Sequence, residues 1–299
     1  MDQGTLRALG CRIAALLVAF CGISSAYSQA AKQHARLSLV SDKASLAPGN
    51  SHWIGLRFEL EPGWHIYWTN PGDSGEPPKV SWHLPSGVEA GDLQFPAPQR
   101  IADHGLMDYG YQGHVVLLSK VTVPASVTSK KAEIAADVRY LVCREVCVPA
   151  KEHLAVTLPL DGNKKESSEA GLVRTATANL PQSLPKDVHA SAVSDQDSFV
   201  LTVASKNKNF GPVTDFIPAE AQTIENASLP AVQHVVGTSR LRLKKSEQLT
   251  QPISTLRGLL ITKDKAYEVN IPVTASKNSG AKGSSKKAIS QKVQAPTSN

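Results

Sequence analysis

A chain of 299 residues, 41% hydrophobic and 19% charged, has room for two ordinary domains. Its formal charge of +6 is concentrated at the ends: Lys277, Lys282, Lys286, Lys287 and Lys292 follow Ala275 without an acid, and Arg7 and Arg12 outweigh Asp2 in the leading segment. The body between is near neutral, which excludes a basic recognition face on a folded domain, and nucleic acid is not an expected partner.

In chain order, residues 1–28 read as a secretory signal peptide. Arg7 and Arg12 precede the apolar run Ile13–Ile23, and small residues at Ala26 and Ser28 allow cleavage after Ser28. That run is far shorter than the ~20 apolar residues needed to span a bilayer. Phe20 before Cys21 is too bulky for a lipoprotein cleavage site. Nothing later is long and apolar enough to cross a membrane, so an exported, soluble mature chain is expected. Cys11 and Cys21 leave with the signal, and Cys143 and Cys147 remain in an oxidising compartment where a bonded pair is the default.

Residues 36–160 read as short strands between turns. Arg36–Val40 and Trp53–Leu60 alternate apolar with polar positions, and Val115–Leu118, Ile134–Val142 and Leu154–Leu158 form later apolar runs. Pro-Gly and Pro-Pro turns at Pro48, Pro62, Pro71 and Pro77 punctuate the first half, a spacing that indicates a β-sandwich. Residues 161–187 read as a linker: 161–170 is polar, and 171–180 is a candidate short helix ended by Pro181 and Pro185. A second, smaller β domain is expected over 188–275, with strands at 198–203 and 259–262. The Lys/Ser/Gly tail 276–299 lacks the apolar surface to fold and is expected to be disordered.

Cys143-Arg144-Glu145-Val146-Cys147 carries the chemistry. On a straight strand these cysteines would lie ~13 Å apart at ~3.3 Å per residue, whereas a disulfide needs Cα atoms within ~4.4–6.8 Å. The chain must therefore turn between them, as a tight hairpin or as one helical turn, and the extended flanks fit the hairpin. Two roles stand open. One is a redox-active pair; the other is a structural staple, to which so short a closed loop contributes little. Arg144 favours a thiolate and Glu145 opposes it. Two cysteines make half a zinc site and no paired histidines complete it, so no metal is expected. Methionine occurs only at Met1 and Met107 and the nine histidines are scattered, which argues against copper. No phosphate loop or nucleophile elbow is present, and no cofactor is expected.

Beyond spacing, the stretch Gly63-Trp64-His65-Ile66-Tyr67-Trp68-Thr69-Asn70-Pro71-Gly72-Asp73-Ser74-Gly75-Glu76-Pro77-Pro78 resembles the signature of the amino-terminal periplasmic domain of the thiol:disulfide interchange protein DsbD, nearest to the longer, ScsB-like members. Phe95–Pro98, Tyr109-Gly110-Tyr111 and Tyr140–Pro149 continue the resemblance in order. Phe216–Glu220 and Ile224–Ala227 resemble the second β domain of the longer members more weakly.

The resemblance implies an all-β chain: an immunoglobulin-like β-sandwich followed by the smaller sandwich-like domain. It implies a periplasmic electron relay in which Cys147 attacks a partner disulfide and Cys143 resolves the mixed disulfide. Tyr109 and Tyr111 would form an aromatic cap over the sulfurs. The electron donor would be a membrane-embedded protein of the DsbD/CcdA type on a separate chain, because this chain lacks the membrane and thioredoxin-like domains that normally follow. Thioredoxin-like proteins or disulfide isomerases would be the acceptors, as in cytochrome c assembly. His65, Asp108, Arg144 and Glu145 are candidates for tuning the thiols, with Asp73 and Glu76 open between that role and capping turns. His65 reads first as a hydrogen-bonded core histidine, and Trp53, Trp64, Trp68 and Trp82 read as core. The alternative is a non-catalytic periplasmic binding module with a structural disulfide, tied to metal-stress or cytochrome maturation systems.

Overall fold

The structure is a computed structural model that describes residues 34–207 and 209–276. The expected signal peptide and the basic tail beyond Ser276 lie outside the described residues. The first block holds ten strands: β1 (Ala35–Ser41), β2 (Asn50–Leu60), β3 (His65–Gly72), β4 (Lys79–His83), β5 (Glu89–Ala90), β6 (Gln99–Asp103), β7 (Leu106–Gln112), β8 (His114–Val123), β9 (Lys131–Cys143) and β10 (Cys147–Pro159). They form two sheets, ordered β1-β2-β8-β5 and β10-β9-β3-β7-β6, with β4 pairing the edge of β9 that β3 also uses.

Alternation makes this a sandwich. Leu56 and Phe58 of β2 and Leu117 of β8 point inward from one sheet. They meet Ile66, Tyr109, Ala136, Val138 and Tyr140 of the other in a single buried cluster, which Ile54, Val121, Ile134 and Leu158 extend towards the opposite end. Trp64 and Trp68 are buried in this core, as expected of large aromatics. The all-β, immunoglobulin-like expectation is met.

Helix α1 (Ala170–Ala178) covers the outer face of the first sheet. Val173 and Ala176 pack on Val40, Val116 and Leu118, so both faces of that sheet are covered. The stretch before it is tied down as well: Ala44 N–H donates to Lys165 O at 3.0 Å, and Ser45 and Ser167 hydroxyls bond to Asp161 and to Ser41 O. Polarity of 161–170 suggested a free linker, but here its polar groups are spent on bonds to the first block. The connection is docked.

The second block follows with β11 (Gln182–Ser183), β12 (Val188–Ser194), β13 (Ser198–Ser205), β14 (Val213–Pro218), β15 (Ala231–Val235), β16 (Thr238–Lys244), β17 (Thr255–Thr262) and β18 (Ala266–Ala275). Its strand order is β14-β17-β18-β12-β13-β16-β15. β18 is the pivot. It pairs antiparallel with β17 over 266–272 and then parallel with β12 over 273–275, so one core gathers Phe216 and Leu260 with Leu201 and Leu241.

The two blocks share an interface. Ile217 and Leu259 of the second belong to the buried cluster of the first. Arg100 of β6 forks onto Asp215, Nε to Oδ2 at 2.7 Å and Nη2 to Oδ1 at 3.0 Å, and also donates to the carbonyls of Asn226 and Phe216. A two-pronged guanidinium–carboxylate pair of this kind fixes orientation as well as proximity.

A docked connection has a measurable consequence. Limited proteolysis of the folded chain should spare 161–187. Val173→Asp places a charge in a dry contact and should release α1, opening that segment to cleavage. Rapid cutting of the unsubstituted chain within 161–187 would show that the helix does not hold.

Candidate functional site

The β9–β10 ladder runs in unbroken register from Pro159↔Lys131 to Cys147↔Cys143. Its last pair is the cysteines, and Arg144, Glu145 and Val146 form the turn, closed by Arg144 N–H donating to Val146 O at 3.2 Å. The hairpin geometry is realised. The Cα atoms lie 4.1 Å apart and the sulfurs are bonded. That spacing is near the ~4.5 Å of the closer type of antiparallel pair, whose side chains adjoin.

The sulfurs are not equivalent. Cys143 is 2% exposed, whereas Cys147 is exposed at the start of β10 beside Val146, itself 64% exposed. Cys143 stands opposite His65 of β3, a direct cross-strand neighbour. Cys147 Sγ lies 3.6 Å from Tyr67 Oη, two residues further along the same strand. The His65 and Tyr67 rings meet edge to face at 5.1 Å.

Behind them lies one carboxylate. Asp108 of β7 is 1% exposed and accepts from Ser74 N–H at 3.0 Å and from the Ser74 hydroxyl at 2.8 Å. Ser74 Oγ is 3.3 Å from Tyr67 Oη, so a polar chain runs Asp108–Ser74–Tyr67–Cys147. Because the Ser74 proton goes to Asp108, Ser74 can only accept from Tyr67; the single phenolic proton thus has two candidate acceptors, Ser74 Oγ and the sulfur of Cys147, and goes to one of them at a time. His65 Nε2 is 3.6 Å from Asp108 Oδ2 and has no hydrogen-bond partner among the described residues. A protonated imidazole would find a carboxylate there.

The turn that carries Ser74 depends on two glycines. Gly72 has φ +94° and an added Cβ would fall 2.4 Å from Met107 O. Gly75 has φ +76° and an added Cβ would fall 2.1 Å from the Tyr67 ring. Left-handed backbone and close approach together leave no room for a side chain at either position. Gly75 lies flat on the ring whose hydroxyl reaches the sulfur.

Several expected residues sit elsewhere. Tyr109 is fully buried and its hydroxyl donates to Asn226 Oδ1 at 2.9 Å across the interface between blocks. Burial pushes its phenol well above the usual range, against the pull of the Arg100 guanidinium. Tyr111 is buried too, its hydroxyl donating to Pro96 O at 2.7 Å. Both rings are packing elements, and the tyrosine that meets a sulfur is Tyr67. Arg144 is drawn over the Trp64 ring at 5.6 Å and lies 3.9 Å from Glu145, so the two charges of the turn face each other. Asp73 caps: it accepts from Met107 N–H at 2.8 Å and from Asn226 Nδ2 at 2.7 Å. Glu76 is exposed and pairs with Lys79 at 3.1 Å. Sequence reasoning missed Tyr67 and Ser74 as site residues, although both lie inside the aromatic Gly63–Pro78 stretch. No group of three or more potential metal ligands occurs among the described residues, and none of their helices is long and apolar enough to cross a membrane.

Residues 36–159 match the family of the N-terminal domain of the thiol:disulfide interchange protein DsbD. Among solved structures, the N-terminal periplasmic domain of ScsB from Proteus mirabilis superposes with a TM-score of 0.58 at 19% identity, over 81% of this chain and 94% of that one. At that identity the likeness is one of fold, and it extends beyond the first block. Tandem Ig domains of titin reach a TM-score of 0.20 at 10% identity, over 81% of this chain and 97% of that one, too low to carry an argument. No curated protein matches the chain. Residues 36–159 are thus a domain of the DsbD amino-terminal family, with its cysteine pair closed as a disulfide at a hairpin tip.

Tyr67→Phe removes the hydroxyl and keeps the ring on Gly75. In the reduced protein it should slow alkylation of Cys147 by iodoacetamide at neutral pH several-fold with little change in thermal stability. An unchanged rate would show that the hydroxyl does not act on the thiolate.

Proposed function

We propose that this chain, whose residues 36–159 form a DsbD-type amino-terminal domain, is a periplasmic thiol–disulfide exchange protein that relays electrons through Cys143 and Cys147. The unequal exposure of the two sulfurs supports this reading above all else. Exchange needs one sulfur that a partner can reach and a second that stays inside until the mixed disulfide has formed. Cys147 has the first environment and Cys143 the second.

In the reduced state the Cys147 thiolate attacks a sulfur of the partner disulfide. A Cys147–partner bond forms and the partner's own S–S bond breaks, leaving its other sulfur as a thiolate. Cys143, deprotonated beside His65, then attacks Cys147 Sγ, the Cys143–Cys147 bond closes, and the partner departs with both cysteines reduced. Two electrons pass to the partner, and the two protons lost by Cys143 and Cys147 balance those its thiols take up. Tyr67 turns its one proton from Ser74 to the attacking thiolate, a charged and stronger acceptor, while the turn carrying Ser74 and Gly75 holds its ring, and His65 backed by Asp108 serves Cys143. A membrane-embedded protein of the DsbD/CcdA type would restore the dithiol, and thioredoxin-like proteins or disulfide isomerases would be the acceptors, as in cytochrome c assembly.

The ladder argues against a staple. Hydrogen-bonded register holds this hairpin up to the cysteines, so the covalent link closes a loop the backbone has already closed. Chain-entropy scaling gives such a small loop about 2 kcal/mol at most. Cys143→Ala with Cys147→Ala should therefore fold and lose no more than that in denaturant unfolding. A larger loss, above ~3 kcal/mol, would restore the staple.

The order of attack is tested by trapping. Reduced Cys143→Ser, mixed with periplasmic extract, should accumulate a reductant-sensitive adduct on a non-reducing gel, and Cys147→Ser should give much less. The reverse pattern would exchange the two roles, and no adduct from either variant would count against the relay.

A further inference from the structure

We propose that the second β block is a positioning element of the cysteine site, acting through Asn226, which fixes the 70–75 turn against Tyr67 and Cys147. The proposal rests on Cys147 being the reactive thiol.

Asn226 is 4% exposed, and its side chain is committed at both ends to the first block. Its Nδ2 donates to Asp73 Oδ1 at 2.7 Å, and its Oδ1 accepts from the Tyr109 hydroxyl at 2.9 Å. Its backbone carbonyl accepts from Arg100 Nη1 at 2.8 Å, within the fork that joins Arg100 to Asp215. A second contact grips the start of the same turn, where buried Asn70 Nδ2 donates to Pro218 O at 2.8 Å. The turn is thus held by the second block at residues 70 and 73. Residue 74 is where it meets the site, through Asp108 on one side and Tyr67 on the other.

The choice of residue is specific. An aspartate at 226 would face the Asp73 carboxylate without a proton to share, and an apolar residue would leave the buried Tyr109 hydroxyl without an acceptor for its proton. A carboxamide donates to one and accepts from the other through two separate atoms, which neither a carboxylate nor a single hydroxyl offers. Adhesion of the two blocks does not need this residue, since the Arg100–Asp215 fork and the packing of Ile217 and Leu259 already supply it. What Asn226 adds is the location of Asp73, and with it of Ser74. If the turn drifts, the Tyr67 ring loses the Ser74–Gly75 surface that locates its hydroxyl, and the Cys147 thiolate loses a fixed donor, which raises the pH at which it forms.

The test uses the full mature chain, reduced, with iodoacetamide as probe and the rate at Cys147 followed across pH by peptide mass. Asn226→Asp should slow alkylation at neutral pH several-fold and move the midpoint of the profile upward. Combining it with Asp73→Asn keeps the net charge and exchanges donor with acceptor. The amide at 73 can still accept from Met107 N–H, so this pair should return the profile to that of the parent. Leu259→Ala loosens the same interface without touching the turn and should lower the unfolding temperature while leaving the profile in place. If Asn226→Asp does not fold, Asn226→Ser takes its place. The proposal is overturned if the single variant leaves the profile unmoved, if the exchange fails to restore it, or if Leu259→Ala shifts it as far. Because the probe needs no partner protein, failure of the relay would register separately, as missing adducts with an intact profile.

Discussion

The register of one antiparallel ladder is the constraint on which the site depends. Cysteines four residues apart cannot meet on an extended chain, and they meet here because β9 and β10 pair without a slip until position 143 faces position 147. A shift of one residue would put the two sulfurs on opposite faces of the sheet. Register is pinned by burial along β9, where Ile134, Ala136, Val138, Tyr140 and Val142 all point into the sandwich. The core thus sets the chemistry at the tip: by the same alternation Cys143 falls on the other face of the sheet from these residues, where it stands beside His65.

A second group of strands supplies what a hairpin alone lacks. β3 lies against the end of β9 and brings His65 and Tyr67 to the two sulfurs, and β7 lies against β3 and brings Asp108 behind them. Arg144 and Glu145, the only charged residues in the turn, face each other and the Trp64 ring. Around the sulfurs lies instead a buried polar chain, where a low local dielectric strengthens a well-aligned donor and makes its loss costly.

Much of the fold was legible. The alternating stretches at 36–40 and 53–60 and the apolar runs at 134–142 and 154–158 all became strands, and the helix foreseen at 171–180 formed at Ala170–Ala178. Two things were not. The polar 161–170 stretch looked unattached because composition reports what a segment cannot bury, not what its hydroxyls and backbone can bond to. The tyrosines were assigned by position in a motif. Which tyrosine reaches a sulfur is a matter of strand order, and only the pairing of β3 with β9 puts Tyr67 rather than Tyr109 at Cys147. The signature Pro71-Gly72-Asp73-Ser74-Gly75 was visible as a motif, but its meaning was hidden, because Ser74 answers to Asp108, 34 residues away, and Asp73 to Asn226, 153 residues away.

The same features explain how a protein of this design can change redox state without changing fold. A disulfide that closes a long loop is part of what holds a domain together, and reducing it invites unfolding. Here the bond caps a ladder that is complete without it, and the buried sulfur lies at the end of β9 beside His65, outside the sandwich core. Stability comes from the sandwich and the interface with the second block; reactivity comes from the tip. Their separation lets the exposed sulfur be labile while the protein around it is not.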